Sequence, residues 1–92
     1  MLLVSYDISN DKLRTQFSKL LEKHGRRLQY SVFEVKHTQK MIDYLLLIIE
    51  KKFAKAFDIT DSIIIYPVCE ACQKKIIRYG FAVHEEEDIV FL

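Results

Sequence analysis

Hydrophobic and polar positions in the first third of the chain predict a strand followed by a helix. Met1–Ile8 is an apolar run, short enough for a strand that is buried on both faces. Ser9–Asp11 then supplies helix-capping side chains, and apolar residues recur every three or four positions over 13–21, as in an amphipathic helix. Gly25 is a candidate left-handed stop for this helix.

A second strand, a second helix and a third strand follow. Arg27–Lys36 alternates and is rich in β-branched and aromatic residues, which favours a strand. Thr38 can cap a helix that runs to about Ala56. The predicted apolar face of that helix comprises Ile42, Leu45, Leu46, Ile49 and Phe53. Ser62–Val68 predicts a further strand, closed by Pro67, which suits an edge position or a strand end.

The C-terminal part of the chain is less regular. Cys69–Lys75 indicates a turn or short helix, and Ile76–Tyr79 is compatible with a strand. An acidic run, Glu85–Asp88, precedes a last apolar segment, Ile89–Leu92. Because that segment has no place in a four-stranded sheet, we expect it to pair with the sheet edge of another protomer.

This order of elements is that of a ferredoxin-like, split βαβ fold of the α+β class. Such a fold has an antiparallel sheet with its helices on one face, and it requires Arg27–Lys36 to bend into two short strands. We expect a single domain over 1–92, in which residues 81–92 form a tail that contacts a dimer mate or a partner. A chain of this length buries only roughly 60–65% of its unfolded surface, so dimerisation is a natural way to bury more.

Composition narrows the classes of protein that the chain can belong to. No apolar run approaches the roughly 20 residues of a membrane span, so none is predicted. No basic segment precedes a shorter apolar run, so a secretion signal is not predicted either. Two cysteines are too few for a disulfide scaffold, and we expect a cytoplasmic protein. Residues 12–55 hold eleven Lys or Arg against four acidic residues, between acidic ends. This basic middle is either a polyanion-binding surface or an ordinary solvated helix surface.

Asp7 stands at the end of the otherwise apolar first strand. A buried carboxylate is costly without a partner, so Asp7 either binds a hard cation such as Mg²⁺ or Mn²⁺ or caps the turn at Ser9–Asn10. One carboxylate per chain makes a weak metal site, whereas two Asp7 side chains across the two-fold axis of a dimer make a better one. A metal ion there would activate water for phosphodiester hydrolysis.

Three arginines are candidates for phosphate binding near Asp7. We expect Arg14 in the first helix, and Arg26 and Arg27 before the second strand, to border the C-terminal end of strand one. A guanidinium there can hold phosphate through two N–H donors. The alternative for each is an ion pair on the protein surface with Glu22 or Asp11.

Two further motifs each allow a functional and a structural interpretation. Alternation in the second strand places Ser31 and Phe33 on one face, where an exposed Phe33 would stack on a base and a buried one would belong to the core or a dimer interface. Cys69 and Cys72 have the spacing of a redox pair, but no second cysteine or histidine pair completes a zinc site.

Three segments of the sequence together resemble the CRISPR-associated protein two family, the small adaptation subunit that accompanies the CRISPR integrase. They are VSYDISNDKLR (Val4–Arg14), HGRRLQYSVFEV (His24–Val35) and IIIYPVCEAC (Ile63–Cys72). The match spans nearly the whole chain in order and spacing, and QYSVFE after the Gly–Arg turn is its most distinctive part.

The resemblance implies a ferredoxin-like fold, a symmetric homodimer and a magnesium site at the Asp that closes strand one, here Asp7. In family members credited with activity, this residue supports metal-dependent cleavage of single-stranded RNA or double-stranded DNA. The family's basic residues early in helix one and before strand two fall on Arg14 and Arg27. Its strand-two serine and phenylalanine fall on Ser31 and Phe33.

The resemblance also implies partners. In the adaptation complex the family's subunit is a spacer between integrase dimers and holds duplex DNA on a basic surface, which requires no catalysis by Asp7. We therefore expect a metal-dependent endonuclease of spacer acquisition, with a non-catalytic DNA-binding subunit as the alternative. Glu85–Asp88 and the terminal apolar segment are the candidates for contact with the integrase. A second basic position of helix one in some members is Gln16 here, which removes one phosphate contact.

Overall fold

The computed structural model describes residues 1–77 and 79–80 of the chain. The strands in this part are β1 (Leu2–Asp7), β2 (Gly25–Gln29), β3 (Val32–Val35) and β4 (Ser62–Pro67). The α-helices are α1 (Asp11–Glu22), α2 (Gln39–Ile48) and α3 (Glu70–Gln73). A π-helical turn, Ile49–Phe53, and a 3₁₀ turn, Ala54–Ala56, continue α2.

The four strands form one antiparallel sheet in the order β2-β3-β1-β4. The central strand β1 pairs with both β3 and β4, so that Val4 lies opposite Phe33 on one side and Ile65 on the other. Helices α1 and α2 pack into the same core on one face of the sheet. The predicted ferredoxin-like fold is therefore confirmed, including the bend of Arg27–Lys36 into two strands around a turn at Tyr30–Ser31.

Aromatic rings from both helical segments and from the sheet form the centre of the core. The Phe17 ring of α1 meets Tyr6 edge-on at 5.2 Å and Phe53 at 5.0 Å between ring centroids. Phe33 stacks on Tyr6 at 6.3 Å. The residues buried in this core are Leu2, Val4, Tyr6, Ile8, Phe17, Leu21, Phe33, Val35, Leu45 and Phe53. Full burial of each large apolar side chain stabilises the fold by about 1.5–3 kcal/mol.

Both helix caps that the sequence predicts are confirmed. The Asn10 side-chain oxygen accepts a hydrogen bond from the Leu13 N–H at 2.9 Å. The Thr38 hydroxyl oxygen accepts one from the Met41 N–H at 3.1 Å. Because capping depends only on neighbouring residues, it can be predicted without the fold.

The second helical segment reaches Ala56 as predicted, but it is α-helical only as far as Ile48. The wider π-helical turn then follows, with Phe53 buried at its end. Leu46, expected on the buried face, is 54% exposed. It lies about 100° around the helix from Leu45, which occupies the core, so the two adjacent leucines cannot both face it.

Gly25 does not end α1 in a left-handed conformation, and that prediction is wrong. The residue is the first of β2 and lies opposite Val35, and no positive φ occurs there. A Cβ atom at this position would be 1.9 Å from the Glu34 carbonyl oxygen and 2.8 Å from a Val35 methyl carbon. Close approach of the β2 and β3 backbones is therefore the reason for glycine.

Some of the predictions for the C-terminal part are confirmed, one is wrong, and others concern residues that the structure does not describe. The turn over Cys69–Lys75 contains α3, as expected, and β4 is an edge strand that ends at Pro67. The strand proposed at Ile76–Tyr79 is wrong for those of its residues that the structure describes. The acidic run, the last apolar segment and the whole tail 81–92 lie outside the described residues. Among the helices described, none has the length and apolar character to cross a membrane.

Asp61, in the loop before β4, fastens the loop that follows β1. One of its carboxylate oxygens accepts hydrogen bonds from the Ser9 N–H at 2.9 Å and the Ser9 hydroxyl at 3.0 Å, and the other accepts one from the Asp58 N–H at 2.9 Å. The N–H of Asp58 and then that of Ser9 lower the pKa of Asp61, because they favour its charged form. The chain just beyond Asp7 is thereby held against the start of β4.

Replacing Gly25 by alanine is expected to lower the free energy of unfolding by about 3 kcal/mol or more, because β2 must move away from β3 to admit the methyl group. Guanidinium chloride unfolding followed by circular dichroism measures this loss. Gly80→Ala is the matched control: its Cβ meets nothing within 4 Å, so only the strain of a positive φ, about 1 kcal/mol, opposes it. Equal losses in the two variants would contradict the close approach at Gly25.

Asp61→Ala is expected to destabilise the protein at neutral pH, and the difference from the wild type should shrink on acidification. Since the folded-state pKa of Asp61 is lowered, its carboxylate stabilises the fold fully above the unfolded-state pKa. That stabilisation is lost as the pH falls through the folded-state pKa. Urea unfolding at pH 7 and at several values below about pH 4 tests this. A difference that stays constant down to about pH 2 would refute the linkage.

Candidate functional site

Asp7 is the last residue of β1, and its side chain is exposed. Because successive side chains of a strand alternate between faces, burial of Tyr6 on the helix-covered face directs Asp7 to the opposite one. Among the residues that the structure describes, none donates a hydrogen bond to its carboxylate. Asn10 and Asp61 make the capping hydrogen bonds of this loop. The interpretation of Asp7 as a turn cap is therefore wrong.

The sheet face opposite the helices, which we call the open face, carries apolar side chains from three strands. Leu3 and Ser5 of β1 lie on it, together with Val32 of β3 and Ile64 and Tyr66 of β4. Ser5 is opposite both Val32 and Ile64, and Leu3 is opposite Tyr66. Ile64 is 48% and Tyr66 46% exposed. Half-exposed apolar side chains in adjacent rows form a patch that contact with another surface would bury.

Arg14 lies at the C-terminal end of β1, as predicted. Its guanidinium donates a hydrogen bond to the Ile8 carbonyl oxygen at 3.0 Å and forms an ion pair with Asp11. Asp11, with a smaller contribution from the Tyr30 phenol, raises the pKa of Arg14. Arg14 is thus held beside the residue that follows Asp7, with partners that a phosphate oxygen can replace.

Arg27 supports the β2–β3 hairpin from within. Its guanidinium donates hydrogen bonds to the Tyr30 carbonyl oxygen and, at 3.3 Å, to a Glu22 carboxylate oxygen. Its guanidinium carbon lies 4.8 Å from the centroid of the Phe33 ring, a cation–π contact. Burial raises the pKa of Tyr6, and the nearby Arg27 opposes that effect. Arg27 therefore positions the hairpin turn, and its contacts favour the ion-pair interpretation over phosphate binding.

Arg26 lies at the other end of the sheet, so its expected place beside the C-terminal end of β1 is wrong. It is opposite Glu34, which in turn is opposite Leu3, near the start of β1. Arg26 Nε is 3.3 Å from a Glu34 carboxylate oxygen. The reason is strand direction: the far end of β2, where the hairpin turns, is the part that reaches Asp7.

Phe33 lies in the core and Ser31 in the hairpin turn, and the contacts of both stabilise the fold. Phe33 is completely buried, so no base can stack on it and the core interpretation is confirmed. Ser31 lies in the hairpin turn, where its carbonyl oxygen accepts a hydrogen bond from the Tyr6 N–H at 3.1 Å. The predicted alternation of the two residues on one face fails because Ser31 is not in a strand.

Tyr30 is the residue that the sequence prediction of the site omits. It lies in the hairpin turn with 71% of its surface exposed, and its phenol interacts electrostatically with the Arg14 guanidinium. The signal for it was weak, because Arg27–Lys36 alternates like one continuous strand and hides the turn. An aromatic residue in a turn, a few positions after Arg26 and Arg27 in the sequence, is the pattern that would have identified it.

The cysteine pair forms the cap of a short helix. Cys69 Sγ accepts a hydrogen bond from the Cys72 N–H at 3.4 Å, and both thiols are free and exposed. This hydrogen bond lowers the pKa of Cys69, and Cys69 in turn raises the pKa of Cys72. The contact accounts for the spacing of the two residues by helix capping.

Asp7 has the character of a ligand for a hard cation. Its carboxylate is exposed, and Mg²⁺ in proteins is commonly bound through one or two carboxylates with water completing its shell. Within the described residues, no group of three or more His, Cys, Asp or Glu side chains comes together to hold a metal ion. Within this part of the chain, Asp7 is therefore not one of a set of three or more such ligands.

Known proteins resemble this chain over most of its length. Residues 1–76 match the family model of CRISPR associated protein Cas2. CRISPR-associated endoribonuclease Cas2 2 of Methanospirillum hungatei is 37% identical over 83 residues, covering 86% of this chain and 84% of the relative. CRISPR-associated endoribonuclease Cas2 1 of Archaeoglobus fulgidus is 40% identical over 94 residues, covering 98% and 97%.

Solved structures agree with the fold. Streptococcus pyogenes Cas2, crystallised at pH 6.5, superposes with a TM-score of 0.66 at 28% identity, covering 86% of this chain and 98% of that one. A hypothetical protein of Thermus thermophilus, TT1823, superposes with a TM-score of 0.60 at 32% identity, covering 74% and 79%. The family match contains every strand and helix described above, and the relatives align over most of their own length. The chain therefore belongs to the CRISPR-associated Cas2 family.

Proposed function

We propose that this protein is a metal-dependent endonuclease subunit of CRISPR spacer acquisition, acting on RNA or DNA as a homodimer beside the integrase. The observation that carries the proposal is the exposed Asp7 carboxylate at the end of the central strand. The Arg14 guanidinium is hydrogen-bonded to the carbonyl oxygen of the following residue, Ile8. The relatives named endoribonucleases support cleavage of phosphodiester bonds, RNA in particular.

A homodimer through the open face would bring two such carboxylates together. Ile64 and Tyr66 would contribute most of the apolar surface, since each is about half exposed in one chain. In a two-fold symmetric interface each residue meets the same patch of the other subunit. Asp7 lies on the same face as this patch, so a two-fold axis near the end of β1 would set the two Asp7 side chains opposite one another.

The chain's own residues divide the work at this site. Asp7 from each subunit would hold Mg²⁺, or Mn²⁺ in its place. The metal ion, when bound, supplies an activated water and stabilises negative charge on the phosphate. Arg14 would exchange its contact with Asp11 for a phosphate oxygen through charge-assisted hydrogen bonds. Arg27 would keep the hairpin turn in place.

The alternative is a non-catalytic subunit that holds duplex DNA for the integrase. One observation favours it: among the described residues no set of three metal-ligating side chains comes together, whereas phosphate binding by Arg14 requires no metal ion. The two functions separate at Asp7, which is essential for cleavage and dispensable for holding DNA. Binding to phosphate would in either case weaken with salt.

Asp7→Asn is expected to reduce cleavage at least about 100-fold, because a metal ion's charge stabilisation is worth several kcal/mol in the transition state. Labelled RNA and DNA are incubated with the purified variant and wild type, with Mg²⁺ or with a chelator. Asp43→Asn, an exposed acid on α2, is the matched control and should cleave at the wild-type rate. Equal cleavage by Asp7→Asn would refute the endonuclease, and binding without any cleavage by the wild type would favour the alternative.

Ile64→Lys is expected to weaken dimerisation at least about tenfold, because a charge would be buried in an apolar contact. Analytical ultracentrifugation measures the dissociation constant, and circular dichroism checks the fold. Leu46→Lys is the matched control, since Leu46 is 54% exposed but lies on α2 rather than on the open face. A dimer that survives Ile64→Lys, or dissociates equally in Leu46→Lys, would place the interface elsewhere.

A further inference from the structure

We infer that Tyr30 stacks on an unpaired base and makes the Asp7 site select a single strand over a duplex. The inference rests on the proposed function, because it concerns the nucleic acid held at that site. It follows from one juxtaposition. An exposed phenol ring, the guanidinium of Arg14 and the carboxylate of Asp7 lie at the same end of the sheet.

Tyr30 is anchored through its backbone, while its side chain is exposed to solvent. Arg27 donates a hydrogen bond to its carbonyl oxygen, and its phenol interacts electrostatically with Arg14. The ring is 71% exposed, and it takes part in none of the ring-to-ring contacts among the described residues. An exposed aromatic ring on an anchored backbone is a platform on which nucleic-acid bases stack.

The positive charge of Arg14 near the Tyr30 ring is the second feature of a site for single-stranded nucleic acid. A phosphate held by Arg14 would place its neighbouring base near Tyr30, because the Arg14 guanidinium and the Tyr30 phenol are close enough to interact electrostatically. Proteins that bind single strands combine such cations along the backbone with aromatic platforms for the bases. In a duplex each base is paired and stacked between its neighbours, so it reaches a protein ring only after it has been flipped out.

The hairpin turn also ties Tyr30 to the cleavage position. The Ser31 carbonyl oxygen accepts a hydrogen bond from the N–H of Tyr6, the residue before Asp7. A base on Tyr30 and a phosphate at Asp7 would therefore belong to nucleotides close to one another in the same strand. Stacking on Tyr30 would fix which phosphate of the nucleic-acid strand lies at the Asp7 carboxylate, and it would also add affinity.

The experiment uses tryptophan as the probe, since the natural chain contains none. Tyr30→Trp is made in the Asp7→Asn background so that the nucleic acid stays intact. Its fluorescence is titrated with a 12-nucleotide RNA of mixed sequence and with the same RNA in a duplex. We expect saturable quenching by the single strand and none by the duplex, because a stacked base quenches the indole. Tyr79→Trp, at a position 77% exposed, is the control and should not respond.

Affinity provides the second measurement. Fluorescence anisotropy with labelled RNA should show that Tyr30→Ala binds the single strand about 5- to 150-fold more weakly, the usual worth of one stacked base. Duplex affinity should change less than about twofold, and Tyr30→Phe should bind like the wild type. Analytical ultracentrifugation of Tyr30→Ala should give the wild-type oligomeric state.

Each other outcome overturns the inference. Single-strand binding without quenching of Tyr30→Trp, or an equal loss for single strand and duplex in Tyr30→Ala, would exclude a stacking role. Dissociation of the dimer by Tyr30→Ala would make Tyr30 a subunit contact. If the wild type cleaves RNA in an Asp7-dependent manner while any of these holds, the proposed function stands and only the role of Tyr30 fails. Absence of any nucleic-acid binding by the wild type would remove both.

Discussion

Burial of the Tyr6 ring between Phe17 and Phe33 decides which way every side chain of β1 points. The ring contacts at 5.2 and 6.3 Å anchor one face of the strand in the core, and alternation then sends Asp7 to the other face. A slip of one residue in the pairing of β1 would exchange the two faces and place the carboxylate in an aromatic core, where burial without a partner is costly. The packing of Tyr6 thus determines the face of the sheet on which the Asp7 carboxylate lies.

The site is assembled by elements that are distant in the chain and close in the fold. Asp61 holds the loop after β1 from one side, and the hairpin turn bonds to Tyr6 from the other. The two arginines nearby differ in their partners. Arg27 is tied to the hairpin turn through the Tyr30 carbonyl oxygen and the Phe33 ring, whereas Arg14 pairs with Asp11, whose side chain is 89% exposed. Arg27 therefore supports the hairpin, and Arg14 is the arginine whose ionic partner is open to solvent.

Local features were predictable from the sequence, and features that depend on strand pairing were not. Asn10 caps its helix because capping involves only nearby residues, and the YDIS and QYSVFE segments indicated the family. Gly25 looked like a helix stop, since a sequence does not distinguish a positive φ from a close backbone approach. Arg26 was misplaced and Tyr30 was omitted because the position of the hairpin turn decides which of them reaches the end of β1.

The ion pair between Arg14 and Asp11 has a consequence for how the protein would respond to ionic strength. A phosphate that binds Arg14 releases a counterion from the nucleic acid, and this release makes affinity fall with salt. The same event frees the exposed Asp11 carboxylate, which attracts a cation from solution and so partly cancels the release. Salt also screens the surface pair itself and loosens Arg14 before binding. A count of the arginines at the site would therefore overestimate the slope of affinity against salt.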